Sequence, residues 1–265
     1  MAVVACIQVC AASGYDLVVV GGTPGGIMTA ISAAREGCNV LILERTNHIG
    51  GLPANGLGAT DITTRGATTG LFLEFTERNY QHYLRTYGPD SRQVKDCSGG
   101  YHFEPSVAEQ TLLQMIGAYS DKITVLLGRQ FDSDPANVSM NGRKVESIRV
   151  VERTSGKVEE YSAAIFIDAT YEGDLGAAAG IPYRIGREGR SEFGEPCAGK
   201  IYRHWGVQFD KGEKQVHNGY EGYESDGTTY QGDNAVQAYN YRLCLTTDKT
   251  QQKPVVKPAG YNRDE

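Results

Sequence analysis

The sequence lacks several features that define other classes of protein. No stretch of its 265 residues approaches the roughly 18 consecutive apolar residues that a membrane-spanning helix needs. Its six cysteines include no C-x-x-C pair, so neither a zinc knuckle nor a cysteine-ligated iron–sulfur cluster has its usual spacing. With 26 Lys and Arg against 32 Asp and Glu, the net charge is -6, and no broad basic surface is available for nucleic acid. We therefore expect no membrane span, no metal and no nucleic-acid partner.

The N-terminal segment leaves the cellular compartment open. Residues 1–13, MAVVACIQVCAAS, form a short apolar stretch that ends in small residues but has no Lys or Arg before it. Such a stretch resembles part of a signal peptide without its charged start. The sequence therefore predicts either a secreted or a cytoplasmic protein, and residues 1–14 are interpreted as an N-terminal tail or a signal-peptide remnant.

Glycine is abundant, at 33 residues or about 12% of the chain against a usual level of about 7%. One glycine-rich turn lies between two apolar segments, residues 16–20 and residues 39–43, which are typical of strands buried on both faces. The turn leads into a helix predicted to end near Glu36, and the second strand is closed by Glu44. The turn consists of Gly21, Gly22, Thr23, Pro24, Gly25 and Gly26. This order is typical of a dinucleotide-binding βαβ unit.

Each of these residues suits its position in the unit for a separate physical reason. Gly21 allows a tight turn and Gly26 allows the helix to pack closely on the strand, while the start of the helix faces a diphosphate. Glu44, 18 residues past Gly26, can accept hydrogen bonds from both ribose hydroxyls. Thr23 stands where the G-x-G-x-x-G pattern has its second glycine, so the diphosphate lies farther away or is assisted by the hydroxyl. A purely structural turn is the alternative.

A second glycine doublet favours FAD over a nicotinamide cofactor. Gly50 and Gly51 follow six residues after Glu44, where a nicotinamide-type unit would continue directly into its next helix. A glycine-rich loop allows the backbone to run beside the diphosphate and the flavin end of an extended FAD. Arg45 and Leu52, which flank this loop, join the predicted cofactor-binding residues.

These motifs resemble those of the glutathione-reductase-type FAD oxidoreductases, and more narrowly the FAD-dependent oxidoreductase family that includes relatives of heterodisulfide reductase. The resemblance lies in DLVVVGGTPGG, LERTNHIGGLPANGLGATD, GGYHFEPSVAE, FIDATYEGDLGAAAGIPYRIGREGRSEFGE and NAVQAYNYRLCLT, from residue 16 to about residue 246. It implies a bound FAD, a redox reaction on a small-molecule substrate, and an α/β fold: a Rossmann-like FAD-binding domain with a parallel sheet and an antiparallel β-meander.

The middle of the chain is predicted to complete this domain. Helices are expected over residues 71–84 and from a capping box, Ser106 with Glu109, onward. A strand over 123–127 precedes an antiparallel meander over 145–151 and 157–162, and a further strand over 164–168. The resemblance implies that Ala169 and Thr170, after that strand, close on the FAD, and that Phe131 lies near the adenine.

The last third of the chain is predicted to leave the nucleotide fold. The FAD-binding domain is assigned to residues 15–180, and residues 181–265 are interpreted as an incomplete, β-rich substrate domain. Strands are expected over 198–209 and 235–246, with a loop rich in Gly, Tyr and Asp between them. Members of the resembled family continue beyond this point and return to the flavin, so we expect a truncated chain or one completed by another chain.

No catalytic acid or base is identified from the sequence. His102, Glu104 and residues 184–195 are the polar segments that the resemblance places nearest the flavin, and a structural salt bridge or cap explains each of them. His48 either touches the cofactor or is a solvated loop residue. The leading hypothesis is an FAD-dependent oxidoreductase whose flavin accepts a hydride from an unidentified small organic substrate. The alternatives are a catalytically silent FAD- or nucleotide-binding fragment and a nicotinamide-linked dehydrogenase; the oligomeric state is not predicted.

Overall fold

The computed structural model describes residues 12–201, 206–210, 213–217, 228–236, 242–243, 245–250 and 252–262. The described residues form two compact units, one within Met1–Ile181 and Arg242–Glu265 and the other within Pro182–Tyr241. The first unit contains the glycine-rich motifs. Across the described part of the chain, no helix combines the length and the apolar character that crossing a bilayer requires.

The first unit is built on one seven-stranded mixed sheet. Four strands are parallel neighbours in the order β3, β2, β1, β7, and β6 continues the sheet antiparallel to β7, with β4 and β5 both pairing with β6. The strands are β1 (Ala12–Val20), β2 (Val40–Glu44), β3 (Ile123–Leu127), β4 (Arg129–Phe131), β5 (Val138–Asn141), β6 (Lys144–Glu152) and β7 (Val158–Asp168). This arrangement confirms the predicted α/β fold, with a parallel sheet and an antiparallel β-meander.

Both faces of β1 and β2 are covered, which explains their continuous apolar sequences. The helices of the unit are α1 (Pro24–Arg35), α2 (Gly70–Tyr87), α3 (Arg92–Asp96), α4 (Pro105–Gly117) and α5 (Asp174–Ala178). Val19 and Ile42 pack with residues of α1, α2 and α4 in one cluster. Val18 and Leu41 face the other way and pack with residues of the meander and with Leu175 of α5.

Strand β7 is a single strand of 11 residues, not the two segments predicted over 157–162 and 164–168. Its first half pairs antiparallel with β6, and its second half pairs parallel with β1. One strand therefore leaves the meander and enters the parallel sheet without a break. The pairing of Val20 with Asp168 brings the carboxyl ends of β1 and β7 level with each other at one edge of the sheet.

Two predicted element starts are wrong. Strand β1 begins at Ala12 rather than at Asp16, because Ala12 still pairs with Tyr161 of the long β7. The predicted capping box at Ser106 does not form, because α4 begins at Pro105, two residues earlier than a cap at Ser106 would give. Proline is pre-organised for the first helical position, so the cap position falls on Glu104 and Ser106 lies inside the first turn.

The second unit differs more from the sequence prediction. It contains the short helix α6 (Arg190–Phe193) and an antiparallel pair of strands, β8 (Gly206–Asp210) and β9 (Glu213–His217). Strand β8 lies at the end of the strand predicted over 198–209, of which residues 202–205 are outside the described residues, whereas β9 lies where a loop was predicted. Of the strand predicted over 235–246, residues 237–241 and 244 are outside the described residues, and the others form no strand. A segment in which apolar and polar residues alternate forms a strand only where a neighbouring strand pairs with it. The role of this unit in a substrate domain stays a prediction.

The sheet core supplies the first testable prediction. Ile42 is fully buried, whereas Ile165, on another parallel strand of the same sheet, is 58% exposed. We expect Ile42→Ala to lower the free energy of unfolding by about 2–5 kcal/mol, because a buried methyl-rich side chain leaves a cavity. The control Ile165→Ala should change it by less than about 1 kcal/mol. Urea denaturation measures both, and equal losses would contradict this account of the core.

Candidate functional site

A cavity of about 250 Å³ lies at the carboxyl ends of β1, β2 and β7. Ligands of open α/β sheets bind in a crevice at this edge. The cavity wall includes many of the residues predicted to bind a cofactor: Gly21, Thr23, Glu44, Arg45, Gly51, Leu52, Phe131 and Thr170. The other predicted residues are outside its lining: Gly22, Pro24, Gly25, Gly26, Gly50 and Ala169.

Two glycines of the first turn are required by close backbone contacts. Gly21 has a φ of +105°, which favours glycine, and a Cβ atom there would lie 2.6 Å from the carbonyl oxygen of Ala169. A Cβ atom on Gly26 would collide with the Gly21 carbonyl oxygen and would lie 3.1 Å from a methyl group of Val19. The turn is therefore packed between the start of α1, β1 and the residue that follows β7.

Thr23 caps α1 with its hydroxyl group. The Gly26 amide donates a hydrogen bond to this hydroxyl at 3.3 Å, and the hydroxyl donates to the carbonyl oxygen of Ala169 at 2.8 Å. The side chain thus joins the helix start to the end of β7, as an N-cap residue can. The hydroxyl therefore has a structural role in the turn, and its relation to a diphosphate stays a prediction.

Glu44 is buried at the end of β2, with only 7% of its surface exposed. The Gly22 amide donates to its Oε2 at 2.8 Å, and the Thr46 amide donates to its Oε1 at 2.8 Å. The Thr46 hydroxyl lies 2.8 Å from Oε1 and 2.7 Å from the His48 carbonyl oxygen, and its single proton serves one of these two acceptors. A carboxylate has about four acceptor positions, so at least two are used within the chain. The carboxylate is held rigidly and keeps acceptor capacity for a ligand hydroxyl; the predicted contact with both ribose hydroxyls stays a prediction.

The start of α1 retains unpaired donors. The Gly26 amide is capped by Thr23, and Pro24 has no N–H, but within the described residues the amides of Thr23 and Gly25 have no acceptor. The first N–H groups of a helix need partners from outside it and carry partial positive charge. This end of α1 can therefore hold an anionic group beside the Glu44 carboxylate.

The second glycine loop is tied to both sides of the cavity. The Gly50 amide donates to the Gly22 carbonyl oxygen at 2.7 Å, which joins the loop to the first turn. The Leu52 amide donates to the Tyr171 hydroxyl at 2.8 Å. A Cβ atom on Gly51 would collide with the same hydroxyl, and the φ of +56° at this position also favours glycine.

The loop after β7 supplies residues that sequence reasoning missed. Tyr171, Glu172 and Asp174 line the cavity. Burial raises the pKa of Tyr171, so its hydroxyl stays protonated. Burial also raises the pKa of Asp174, and the neighbouring Glu172 adds to the effect. The position of these residues just beyond a parallel strand is the signal that could have identified them.

Asp168 fixes the conformation of this loop. Its Oδ1 accepts hydrogen bonds from the amide of Thr170 at 2.9 Å and from the hydroxyl of Thr170 at 2.7 Å, and its Oδ2 accepts one from the Gly176 amide at 2.8 Å. The Thr170 hydroxyl in turn accepts from the Gly173 amide at 2.8 Å. The loop is therefore held in one shape, which fixes where Thr170 and Tyr171 lie in the cavity wall.

The polar residues that the resemblance placed near a flavin have structural partners. The buried Tyr83 hydroxyl donates to the Glu104 carboxylate and accepts from the Glu104 amide at 2.9 Å, and burial raises the pKa of Tyr83. Glu104 and His102 line a separate cavity of about 300 Å³. In the second unit, Arg184 pairs with Glu188 and Glu192. The expected structural explanation therefore holds for Glu104 and for the segment over residues 184–195.

The fold and the site together define a Rossmann-type dinucleotide-binding protein. Residues 16–265 match the family described as FAD dependent oxidoreductase. The chain belongs to this family of flavoenzymes, whose cofactor is FAD. Digeranylgeranylglycerophospholipid reductase 2 of Methanopyrus kandleri is 32% identical over 106 residues, which cover 37% of this chain and 25% of the reductase. The matched region thus spans a quarter of that relative.

Solved structures with a similar fold include three enzymes. The myxobacterial chondrochloren halogenase CndH is 21% identical, with 59% of this chain and 37% of that chain covered and a TM-score of 0.42. The aromatic hydroxylase CabE from angucycline biosynthesis is 17% identical, with 67% and 35% covered and a TM-score of 0.45. Glycerol-3-phosphate dehydrogenase from Bacillus halodurans, solved with FAD, is 12% identical, with 64% and 37% covered and a TM-score of 0.43.

A charged cluster at the cavity wall gives a pH-dependent prediction. Arg129, which lines the cavity, donates to both carboxylate oxygens of Glu159 at 3.0 and 3.2 Å, and the Tyr161 hydroxyl donates to Glu159 at 2.7 Å. The bond with Arg129 is the main cause of the lowered pKa of Glu159. Because folding lowers this pKa, the ionised Glu159 carboxylate stabilises the folded protein at pH values above the pKa of the unfolded state. This stabilisation is lost as pH falls through the pKa of the folded state.

We expect Glu159→Gln to lower the free energy of unfolding at pH 7 by about 1–2 kcal/mol, since a hydrogen-bonded charge is removed. The difference from the wild type should shrink as pH falls below the ordinary carboxyl value of about 4.5. Glu146→Gln, at an exposed position of β6, is the control and should change the free energy by less than about 0.5 kcal/mol. Denaturation series at several pH values measure this, and a difference independent of pH would contradict it.

Proposed function

We propose that the chain binds the adenosine diphosphate half of FAD in the cavity at the carboxyl ends of β1, β2 and β7, and that the protein is an oxidoreductase whose flavin accepts a hydride from a small organic substrate. The observation that carries the proposal is the buried Glu44 carboxylate, held 2.8 Å from the Gly22 amide, beside the unpaired amides that start α1. An acceptor for ribose next to donors for phosphate matches adenosine diphosphate.

The residues of the cavity fit this half of the cofactor. The Thr23 amide at the cavity wall and the Gly25 amide, which lies outside the lining at the start of α1, suit the diphosphate. The remaining acceptor capacity of Glu44 suits a ribose hydroxyl. The cavity of about 250 Å³ falls below the range of about 300–1,000 Å³ that encloses a drug-sized ligand. It therefore suits the adenosine end, and the flavin end is assigned to space beyond Gly51 and Leu52.

The other predicted residues either line the cavity or pack behind its lining, as the proposal requires. Arg45, Phe131 and Thr170 line the cavity, and Phe131 is assigned to the adenine. Gly22, Gly26 and Ala169 act indirectly, by allowing the close packing that shapes the first turn. The proposed cofactor-site residues thus comprise contacts in the wall and packing residues behind it.

In this proposal the residues of the chain bind and orient the cofactor, and the cofactor carries out the electron transfer. Bound flavin supplies the two-electron chemistry of a hydride transfer. The described residues bind and orient the cofactor: Glu44 fixes the ribose, the start of α1 fixes the diphosphate, and the loop after β7 closes the opposite side. The substrate of this chain is an unidentified small organic molecule, and its relatives carry out reduction, halogenation and hydroxylation on different substrates.

Glu44 provides the binding test. We expect Glu44→Gln to weaken the affinity for FAD by about tenfold, because a charged acceptor of the ribose hydroxyl is lost. Glu36→Gln, at an exposed position after α1, is the matched control and should bind FAD as the wild type does. Calorimetric titration gives the affinities, and thermal unfolding shows that the variants are folded. A folded wild type that takes up no FAD would refute the proposed function.

Anaerobic reduction of the bound flavin tests the redox part of the proposed function. The FAD-loaded protein is mixed with small alcohols, amines, 2-hydroxy acids and reduced nicotinamides, and the visible flavin absorption is followed. We expect at least one of these hydride donors to bleach it, because the flavin of an oxidoreductase accepts a hydride. Free FAD with the same donors is the control. A bound flavin that dithionite reduces but none of these donors bleaches would instead support the catalytically silent alternative.

A further inference from the structure

A histidine at the cavity wall has one ring nitrogen held by a carboxylate. His48 lines the cavity, and its Nδ1 lies 3.1 Å from Oε1 and 3.2 Å from Oε2 of Glu109 on α4. Within the described part of the chain, its Nε2 has no hydrogen-bond partner. A carboxylate bound to one ring nitrogen fixes the orientation of the imidazole and the role of the other nitrogen. The ring is 62% exposed, so the Glu109 contact, not burial, orients it.

Glu109 also holds the backbone beside the first glycine turn. The Ile49 amide donates to Glu109 Oε1 at 3.2 Å, and the Ile49 side chain is only 1% exposed. A Cβ atom on Gly22 would lie 2.8 Å from Ile49 Cγ1, and the Gly50 amide donates to the Gly22 carbonyl oxygen at 2.7 Å. Glu109 therefore connects α4 to the turn that carries the diphosphate donors, although it does not line the cavity.

Three basic side chains lie in the cavity wall, at Arg45, His48 and Arg129. One guanidinium nitrogen of Arg45 pairs with Glu172 at 3.2 Å, and Arg129 is bound to Glu159. Within the described part of the chain, His48 differs from both arginines because a carboxylate orients its ring and leaves Nε2 free to meet a ligand. Both nitrogens of a protonated imidazole are donors, so the ring can donate to Glu109 and to a ligand anion at once.

We propose that His48 donates a hydrogen bond from Nε2 to the diphosphate of the bound dinucleotide, and that Glu109 is the positioning residue that orients the ring and the backbone of residues 49–50. The inference rests on the proposed function, because it requires the diphosphate in this cavity. It explains why a glutamate on α4, outside the cavity, makes three contacts with the segment that precedes Gly50.

The test compares ADP, which contains the diphosphate, with adenosine, which lacks it. We expect His48→Leu to weaken ADP binding about tenfold, since one charge-assisted hydrogen bond is lost. Adenosine binding should change by less than about twofold, because the lost donor faces only the phosphate groups. His82→Leu, on α2 and outside the cavity lining, is the matched control and should leave both affinities unchanged. Calorimetric titration measures all of them.

Two variants of Glu109 distinguish an effect on the position of the His48 ring from an effect on folding. Glu109→Gln keeps an acceptor oxygen for Ile49 and for the ring, so ADP affinity should stay within about threefold of the wild type. Glu109→Ala removes the acceptor and should weaken ADP binding about tenfold, again with little effect on adenosine. Thermal unfolding midpoints are recorded for each variant. A general loss of folding would lower both affinities together, and rescue by glutamine would not occur.

The outcomes distinguish this inference from the proposed function. Selective loss of ADP binding in His48→Leu and Glu109→Ala, with rescue in Glu109→Gln, supports the inference. Wild-type ADP affinity in folded His48→Leu, or equal losses for ADP and adenosine, overturns it while FAD binding by the wild type stands. A wild type that binds neither ADP nor FAD refutes the proposed function and this inference with it.

Discussion

The buried hydrogen bond from the Gly22 amide to the Glu44 carboxylate is the interaction on which the site depends. A carboxylate is buried at low cost only when its oxygens are hydrogen-bonded, and the Thr46 amide supplies a second donor. The bond joins the start of α1 to the end of β2. A side chain on Gly22 would press on Glu44 and on Ile49, so the glycine and the acid are needed together.

The site also requires three segments that are distant in the sequence to meet at one edge of the sheet. Strand β7 makes this possible because it leaves the antiparallel meander and pairs with β1 without interruption. Its end carries Asp168, which shapes the following loop and places Tyr171 over Gly51. The cavity is thus closed from the side opposite Glu44 by residues more than a hundred positions away in the chain.

Local pattern was enough to predict the first βαβ unit. Its strands, its turn and Glu44 lie within about thirty residues, and their periodicity and glycine spacing are direct consequences of the fold. The roles of Tyr171 and Glu109 could not be read in the same way. Glu109 matched a local capping pattern, but Pro105 starts the helix earlier and frees the carboxylate to contact His48 and Ile49. That contact spans sixty residues and depends on tertiary packing.

In the second unit, β9 lies where a loop was predicted, because a strand depends on a pairing partner and not on alternation alone. The most direct test of the central claim is a crystal structure of the protein grown with FAD. The account predicts a ribose hydroxyl bonded to the Glu44 carboxylate and diphosphate oxygens at the amides of Thr23 and Gly25. Cofactor density at any other place, with these groups free, would contradict it.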